Sequence, residues 1–176
     1  NYSSIKNTRN KLFVFNSLEI DIRPNGERAI PDKALNYLDF GIVSVHSSFR
    51  IEKAKMADRI LRGLNHPRIK ILAHPTGRIL NKRRGYELEW DKIFDFCKKN
   101  NKFLEINAFP DRLDLSESLI REAIKSRVKL IINTDSHAVD QLMFMSYGVN
   151  TARRGWATAG DIINCLSYNK IKKLLV

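Results

Sequence analysis

Short apolar segments rich in β-branched residues recur along the chain, and each ends in side chains that can bind metals or transfer protons. Near-continuous apolar strands are typical of sheets covered on both faces, so these segments predict parallel strands. A carboxylate or imidazole lies near the end of each segment, at intervals of about 30 residues, which is the length of one strand-plus-helix unit. The predicted strand segments are 17–22, 40–48, 69–77, 102–110 and 129–137.

Between these segments lie stretches whose apolar residues are three and four positions apart, the spacing of an amphipathic helix. They predict helices over residues 51–64, 88–99 and 115–126. Two acidic residues, Glu117 and Asp161, come three positions after Asp114 and Thr158, as in a capping box at a helix start. The alternation of strands and helices predicts an α/β fold.

Consecutive strand-plus-helix units with chemistry at the same end favour a βα barrel, because barrel enzymes carry their sites at the carboxyl ends of the strands. A doubly wound open sheet is the alternative, although its chemistry gathers at one switch point. A complete eight-unit barrel takes about 250 residues. We therefore expect residues 1–176 to form a single domain, an incomplete barrel that is short of two or three units.

Basic residues outnumber acidic ones, 31 to 19, which gives a net charge of +12 and a pI near 9.9. A field of this sign attracts polyanions, so a phosphate-bearing partner is expected. No apolar run approaches the roughly 20 residues that cross a bilayer, so no membrane partner is expected. Cys97 and Cys165 lack a neighbouring Cys or His at metal-ligand spacing, so both are expected to be buried free thiols in a reducing cytoplasm.

Carboxylates and imidazoles mixed at strand ends are ligands for Zn, Mn or Fe. Ions a few ångströms apart can activate water and neutralise charge on a phosphoryl group. A single histidine at a strand end is more often structural, and Asp135 alone could be a helix cap. The joint occurrence favours a metal site; the candidates are Glu19, Asp21, His46, His74, Asp135 and His137.

Arginines close to these ligands could hold phosphate oxygens, because the guanidinium fork matches them. Each could equally be a solvated surface charge. The candidates are Arg78, Arg112, Arg153 and Arg154. The basic run at residues 81–87 is either an exposed loop or part of a nucleic-acid track in which Tyr86 stacks on a base.

The motifs ILAHPTGRIL, LEINAFPDRLDL, LIINTDSHAVDQL and YGVNTARRGW resemble the PHP (polymerase and histidinol phosphatase) domain, in the form found at the carboxyl end of bacterial and archaeal family X DNA polymerases. The resemblance runs from about residue 12 to the end of the chain. It implies the PHP fold, a distorted seven-stranded TIM-like barrel that holds up to three Mn or Zn ions. It also implies 3′–5′ exonuclease activity, related 3′-end processing and a role in DNA repair.

By this resemblance, Glu19 matches a bridging carboxylate, and His46, His74, Asp135 and His137 match later metal ligands. The opening H-x-H motif of the family, its next Asp and His ligands and its first strand-helix units have no counterpart after Asn1. The chain therefore resembles the carboxyl-terminal two-thirds of the domain, and we expect the isolated chain to be inactive or weakly active without the preceding polymerase and PHP segment.

These observations together predict a metal-dependent phosphoesterase that acts on DNA 3′ ends, single-stranded or gapped. Asp135, His137 and Arg78 are the expected catalytic residues. One alternative is a small-molecule phosphatase similar to histidinol phosphatase, whose substrate needs no extended basic track. The other is a non-catalytic DNA-binding or structural remnant of a PHP domain.

Overall fold

The computed structural model describes residues 13–176. Strands and helices follow one another along this part of the chain, as predicted. The strands are β1 Ser17–Asp21, β2 Phe40–Ser44, β3 Ile69–Leu72, β4 Phe103–Asn107 and β5 Leu130–Asn133. The α-helices are α1 Lys53–Leu64, α2 Trp90–Lys99, α3 Glu117–Lys125, α4 Met145–Arg154 and α5 Tyr168–Leu175, with 3-10 helices at Asp32–Tyr37, Val139–Phe144 and Ile163–Cys165.

The five strands form one sheet in which every pairing is parallel and the strands follow the order β1-β2-β3-β4-β5. The predicted parallel α/β fold is therefore confirmed. Each strand is shorter than its predicted segment: β2, β3 and β5 end before the polar residues that close the segment, and β1 and β4 end one and three residues early. Sequential parallel order brings all five carboxyl ends to one edge of the sheet, which we call the carboxyl edge; the opposite edge is the amino edge.

Two apolar cores cover the two faces of the sheet. The larger joins strand residues such as Val43 to helices α1 to α4, represented by Ile60, Phe94, Ile120 and Ala152. The smaller packs α5 and the adjoining 3-10 helix against the other face, and contains Phe40, Ile71, Phe103, Ile131, Ile163 and Leu175. Each fully buried side chain of this size contributes about 1.5–3 kcal/mol.

The predicted capping box at Asp114 and Glu117 is wrong. Helix α3 begins after Ser116, whose hydroxyl accepts a hydrogen bond from the Leu119 amide at 3.4 Å. Asp114 is buried and its carboxylate accepts hydrogen bonds from both the amide and the hydroxyl of Thr76. Thr76 therefore binds the carboxylate that the sequence pattern predicted as the cap of α3.

Both cysteines are free, but only Cys97 is buried as predicted. Burial raises the pKa of the Cys97 thiol to about 12, so this thiol is unreactive. The expected burial of Cys165 is wrong. Thr158 and Asp161 do form their predicted hydrogen bonds, but the segment that follows forms a short 3-10 helix that leaves Cys165 exposed.

Arg59, a buried residue of α1, ties two loops of the carboxyl edge together. Its Nε atom donates hydrogen bonds to the carbonyls of Ile22 and Arg23, at 3.1 and 2.9 Å, and its Nη1 atom donates to the carbonyl of Ser47 at 2.9 Å. The first two carbonyls follow β1 and the third follows β2. Because His46 directly precedes Ser47, this guanidinium holds a candidate site residue against β1.

We expect Arg59→Met to lower the free energy of unfolding by about 2–4 kcal/mol, because one buried and two partly buried carbonyls lose their donor. Urea denaturation followed by circular dichroism measures this change. Lys55→Ala, at an exposed position of the same helix, is the control and should change stability by less than about 0.5 kcal/mol. Equal stabilities for the two variants would show that Arg59 does not hold these loops.

Candidate active site at the carboxyl edge of the sheet

The carboxyl edge collects most of the predicted ligands. His46, His74 and Asp135 each lie two residues beyond a strand, and Glu19 lies within β1. His74 and Asp135 have positive φ angles of 61° and 53°. Non-glycine residues rarely adopt this left-handed conformation, which costs about 1–2 kcal/mol and recurs at functional sites.

Three of the ligands form a compact cluster. One donor atom each from Glu19, His46 and His74 lie within 4.8 Å of one another. His74 Nε2 lies 2.9 Å from Glu19 Oε1, and His46 Nε2 lies 3.5 Å from the same oxygen. Asp21 supports His46 by accepting a hydrogen bond from its backbone amide at 3.0 Å. The structure therefore brings together the carboxylate of β1 and the imidazoles that follow β2 and β3.

The electrostatics of the cluster follow from one buried hydrogen bond. The His74 side chain is 2% exposed, whereas that of Glu19 is 37% exposed. The hydrogen bond with His74 lowers the pKa of Glu19 to about 2, against the opposing effect of burial. Burial by itself would lower the pKa of His74, but the hydrogen bond with Glu19 and the nearby Glu105 charge outweigh it and raise that pKa.

The cluster fits a divalent ion. A carboxylate that stays ionised and two imidazoles are ligands that Zn and Mn accept. The second ring nitrogen of His74, Nδ1, is buried and has no hydrogen-bond partner among residues 13–176. A deprotonated His74 could then offer Nε2, which now contacts Glu19, to an ion that both residues share.

A second set of polar side chains, connected by hydrogen bonds, extends from β4 and β5 beside this cluster. Asn107 donates from Nδ2 to Glu105 Oε2 at 3.0 Å and to Asp135 Oδ2 at 3.1 Å. Asn133 donates to the other Glu105 oxygen at 2.8 Å. Burial raises the pKa of Glu105 to about 7, although nearby His74 and both amides oppose the rise. The two asparagines thus satisfy a buried carboxyl group and hold Asp135 in place.

The two polar groups line one cavity of about 250 Å³ on the sheet face that carries the smaller core. Its polar wall is formed by Glu19, His74, Glu105, Asn107, Asn133 and Asp135, and its apolar wall includes Phe40, Ile42, Ile71 and Ile131. The sequence indicated Glu105 only as a marker of strand spacing. The strand that carries Glu105 and Asn107 is buried throughout, and its pairing with β5 places Asn107 opposite Asn133.

Arg112 is the candidate arginine that borders this cavity. Its Nε atom lies 3.4 Å from Asp135 Oδ2, and its Nη1 atom is buried without a hydrogen-bond partner among the described residues. Arg78 holds the loop that carries Arg112, because its Nε donates to the Arg112 carbonyl at 2.9 Å and its Nη2 to the Leu113 carbonyl. Arg112 thus has an Nη1 donor without a partner among the described residues, whereas Arg78 uses its donors to hold the loop that carries Arg112.

The remaining predicted residues lie further from the cluster. The His137 side chain is 80% exposed, and its Nδ1 lies 2.9 Å from the Asp135 carbonyl and 4.0 Å from Asp135 Oδ1. Arg153 is exposed, and Arg154 forms an ion pair of 2.7 Å with Glu117. The prediction that Tyr86 stacks on a base is wrong, because this ring is buried in the larger core against Phe49.

A parallel α/β sheet with carboxylates and imidazoles gathered over its carboxyl edge defines an α/β domain with a candidate site for a divalent metal ion. No protein-family model matches the chain. The chain is 36% identical over 162 residues to the DNA polymerase/3′-5′ exonuclease PolX of Bacillus subtilis, in an alignment that covers 92% of the chain and 28% of PolX.

Two probable phosphatases also match. One, from Clostridium acetobutylicum, is 31% identical over 134 residues, which are 70% of the chain and 52% of that protein. The other, from Acetivibrio thermocellus, is 27% identical over 120 residues, 64% of the chain and 47% of that protein. The PolX match lies in its C-terminal part, and together these relatives confirm the resemblance to the PHP domain of family X DNA polymerases. The chain spans between about a quarter and a half of the lengths of these proteins.

We expect the affinity for Mn²⁺ to fall at least about 10-fold between about pH 8 and about pH 6, because an ion must displace the proton that His74 holds more tightly than an ordinary histidine does. Isothermal titration calorimetry measures this affinity. The control His66→Ala, outside the cluster, should behave like the wild type, and His46→Ala should bind weakly at every pH. An affinity that does not change with pH would contradict the ligand assignment.

Asn107→Asp tests the internal network. The substitution removes the amide donor and places a third carboxylate between Glu105 and Asp135, so we expect the free energy of unfolding to fall by about 2–4 kcal/mol near neutral pH. The loss should shrink in acid, where the carboxyl groups become protonated. Asn25→Asp, at an exposed loop position, is the matched control and should stay within about 0.5 kcal/mol of the wild type in urea denaturation.

Proposed function

We propose that the chain is the metal-dependent phosphoesterase part of a family X DNA polymerase and that it acts on DNA 3′ ends as a 3′–5′ exonuclease. The cluster of Glu19, His46 and His74 carries this proposal, because its donor atoms lie within 4.8 Å of one another beside the cavity. The relative named DNA polymerase/3′-5′ exonuclease PolX supports the choice of DNA. Free thiols at Cys97 and Cys165 agree with a cytoplasmic location.

We propose Glu19, His46, His74, Asp135 and His137 as the metal ligands and Mn or Zn as the ion. A divalent ion held here would supply the Lewis acid that activates water and offsets phosphoryl charge. Glu19 and the two imidazoles are already grouped to share one ion. His137 would have to turn from its exposed position, where Asp135 anchors its Nδ1 atom. Five ligands are too few for three ions, so this set is proposed to be part of a larger one.

Asp135 and His137 are the proposed catalytic residues. Asp135 faces the cavity and is held by Asn107 and Arg112, so its orientation is fixed before substrate binds. His137 is exposed beside it and can exchange protons with solvent. The fixed orientation of Asp135 lowers the reorganisation needed in the transition state.

Phosphate recognition is proposed to depend first on Arg112, whose unpartnered Nη1 atom can donate to a non-bridging oxygen. Arg78, the third residue assigned to catalysis, would act chiefly by fixing the loop that carries Arg112. Arg153 and Arg154 are proposed to contact the DNA backbone further along. The Arg154 pair with Glu117 is exposed, and an exposed pair of this kind is worth less than about 1 kcal/mol, so phosphate can displace it.

We propose further that residues 1–176 form one domain and that the sheet is part of a distorted (βα)7 TIM-like barrel. Sequential parallel order supports a barrel, because a doubly wound sheet reverses its strand order at the switch point. The cavity lies on the face opposite helices α1 to α4, which is where the interior of a barrel would be.

A small-molecule phosphatase is the second candidate, and the two probable phosphatases among the relatives favour it. The cavity of about 250 Å³ could admit a phosphomonoester. The net charge of +12 favours DNA, because a small substrate needs no extended basic surface.

We expect the chain with Mn²⁺ to shorten 5′-labelled single-stranded DNA slowly, because its ligand set is incomplete. His46→Ala should reduce this rate by about 100-fold or more, which corresponds to losing roughly 3 kcal/mol of transition-state stabilisation. Denaturing gel electrophoresis measures the rate, and histidinol phosphate is the competing substrate. His46 is partly exposed, so its replacement should leave the fold intact. His66→Ala is the matched control and should retain the wild-type rate.

The outcomes separate the candidates. Faster release of phosphate from histidinol phosphate than of nucleotides from DNA would favour the small-molecule phosphatase. Cleavage that persists in His46→Ala would remove this cluster from the mechanism. Binding of DNA without cleavage of either substrate, at saturating Mn²⁺, would favour the alternative of a non-catalytic DNA-binding remnant.

A further inference from the structure

We propose that the chain binds the phosphate backbone of nucleic acid at a second surface, a basic groove on the amino edge of the sheet. The groove has a volume of about 520 Å³ and is lined by Lys70, Asn101, Leu166, Lys170, Lys173 and Leu174. Asn101 precedes β4, whereas the candidate catalytic residues follow the strands. The groove therefore lies at the opposite edge from the ligand cluster and does not depend on the proposed catalytic function.

Lys70 owes its position to an irregularity in the sheet. In the pairing of β2 with β3, Gly41 lies opposite Ile69 and Ile42 opposite Ile71, so Lys70 has no partner in the register. Such irregularities redirect a side chain out of the regular alternation. The Lys70 ammonium is partly buried, and burial, followed by the charge of nearby Arg68, lowers its pKa. An anion in the groove would stabilise the charged ammonium and so offset the effects of burial and of Arg68.

Further cations extend the groove along the edge. Three basic residues directly precede strands: Arg68 precedes β3, Lys102 precedes β4 and Lys129 precedes β5. The parallel sheet brings these strand starts together. Burial, then the charge of Lys70, lowers the pKa of Lys102 to about 8. On the other side of the groove, Lys170 and Lys173 are exposed and three positions apart on α5, so they project from one side of that helix.

Neutral partners hold several of these cations in place without cancelling their charge. Arg68 donates to the carbonyl of Leu38 at 3.0 Å. Lys102 donates to the carbonyls of His66 and Ile69, at 2.7 and 2.6 Å. Lys129 donates to the carbonyl of Gly160 at 2.6 Å. Carbonyl oxygens orient an ammonium or guanidinium group and carry no net negative charge that would cancel its positive charge.

The carboxylates along this edge already have other partners. Asp39 accepts a hydrogen bond from the Asn16 amide at 2.7 Å, and Asp161 accepts two from Thr158. Among residues 13–176, no carboxylate lies within ion-pairing distance of Lys70, Lys170 or Lys173. The edge thus carries a positive field of the kind that releases counterions from a polyanion.

The arrangement suits an extended polyanion better than a single phosphate. The groove is open and its cations are spread over three strand starts and one helix, so no single anion can contact all of them. A nucleic-acid backbone presents phosphates in series and can contact several at once. Leu166 and Leu174 add an apolar floor on which a nucleotide base can rest.

The test is fluorescence anisotropy with a labelled single-stranded 20-nucleotide DNA in EDTA, which removes any ion from the carboxyl edge. We expect the triple variant Lys70→Glu, Lys170→Glu, Lys173→Glu to bind at least about 10-fold more weakly than the wild type, and the slope of log affinity against log salt to fall by about 2. The matched control reverses the same number of charges at Lys53, Lys55 and Lys92, exposed residues in the first turns of α1 and α2. It should weaken binding by less than about 3-fold.

Equal weakening by the two triple variants would overturn the proposal, because net charge alone would then explain binding. Tighter retention by vesicles of phosphatidylserine and phosphatidylcholine than by DNA, lost in the groove variant, would overturn it in favour of a membrane surface. Lys170→Gln with Lys173→Gln, both exposed, repeats the test without altering Lys70 and so guards against misfolding. This binding assay contains no metal, so its failure is distinguishable from failure of the proposed catalytic function.

Discussion

Parallel pairing of the strands in sequence order is the constraint on which the rest of the structure depends. Because each strand returns in the same direction, all residues that follow strands meet at one edge and all residues that precede them meet at the other. Glu19, His46 and His74 come from three adjacent strands, and their proximity follows from adjacency alone. Helices α1 to α4 cover one face, and the cavity lies on the other face beside the smaller core that α5 helps to form.

The sequence predicts the parts of the site that depend on position along strands and misses those that depend on register. The pairing of His46 and His74 with Glu19 could be predicted, because each lies at or near a strand end. The network around Glu105 could not, since it requires Asn107 to lie opposite Asn133 across β4 and β5. No local pattern fixes that register, which is set by packing of the strands against the two cores.

Competition between local and tertiary partners explains the other differences. Asp114 has the spacing of a capping residue, yet Thr76, 38 positions earlier in the chain, takes its carboxylate. Arg78 has the charge of a phosphate ligand, yet backbone carbonyls of the loop that carries Arg112 take its donors. In both cases a partner from another loop binds the polar side chain, because leaving a buried polar group unpaired costs about 1–3 kcal/mol. Sequence patterns identify the polar group but not the partner it meets.

The two edges of the sheet differ in how they can receive a phosphate. At the amino edge, Lys170 and Lys173 are exposed, and Asp39 and Asp161 are hydrogen-bonded to other groups, so the proposed anion would bind these cations directly. At the carboxyl edge, Glu19, Glu105 and Asp135 line the cavity and Arg112 is the cation beside them. A phosphoester entering this cavity would meet carboxylates of its own sign, and divalent ions on the ligand cluster would offset that repulsion. Under these two proposals, the same topology separates an edge that would bind nucleic acid without metal from an edge whose access to phosphate would depend on metal.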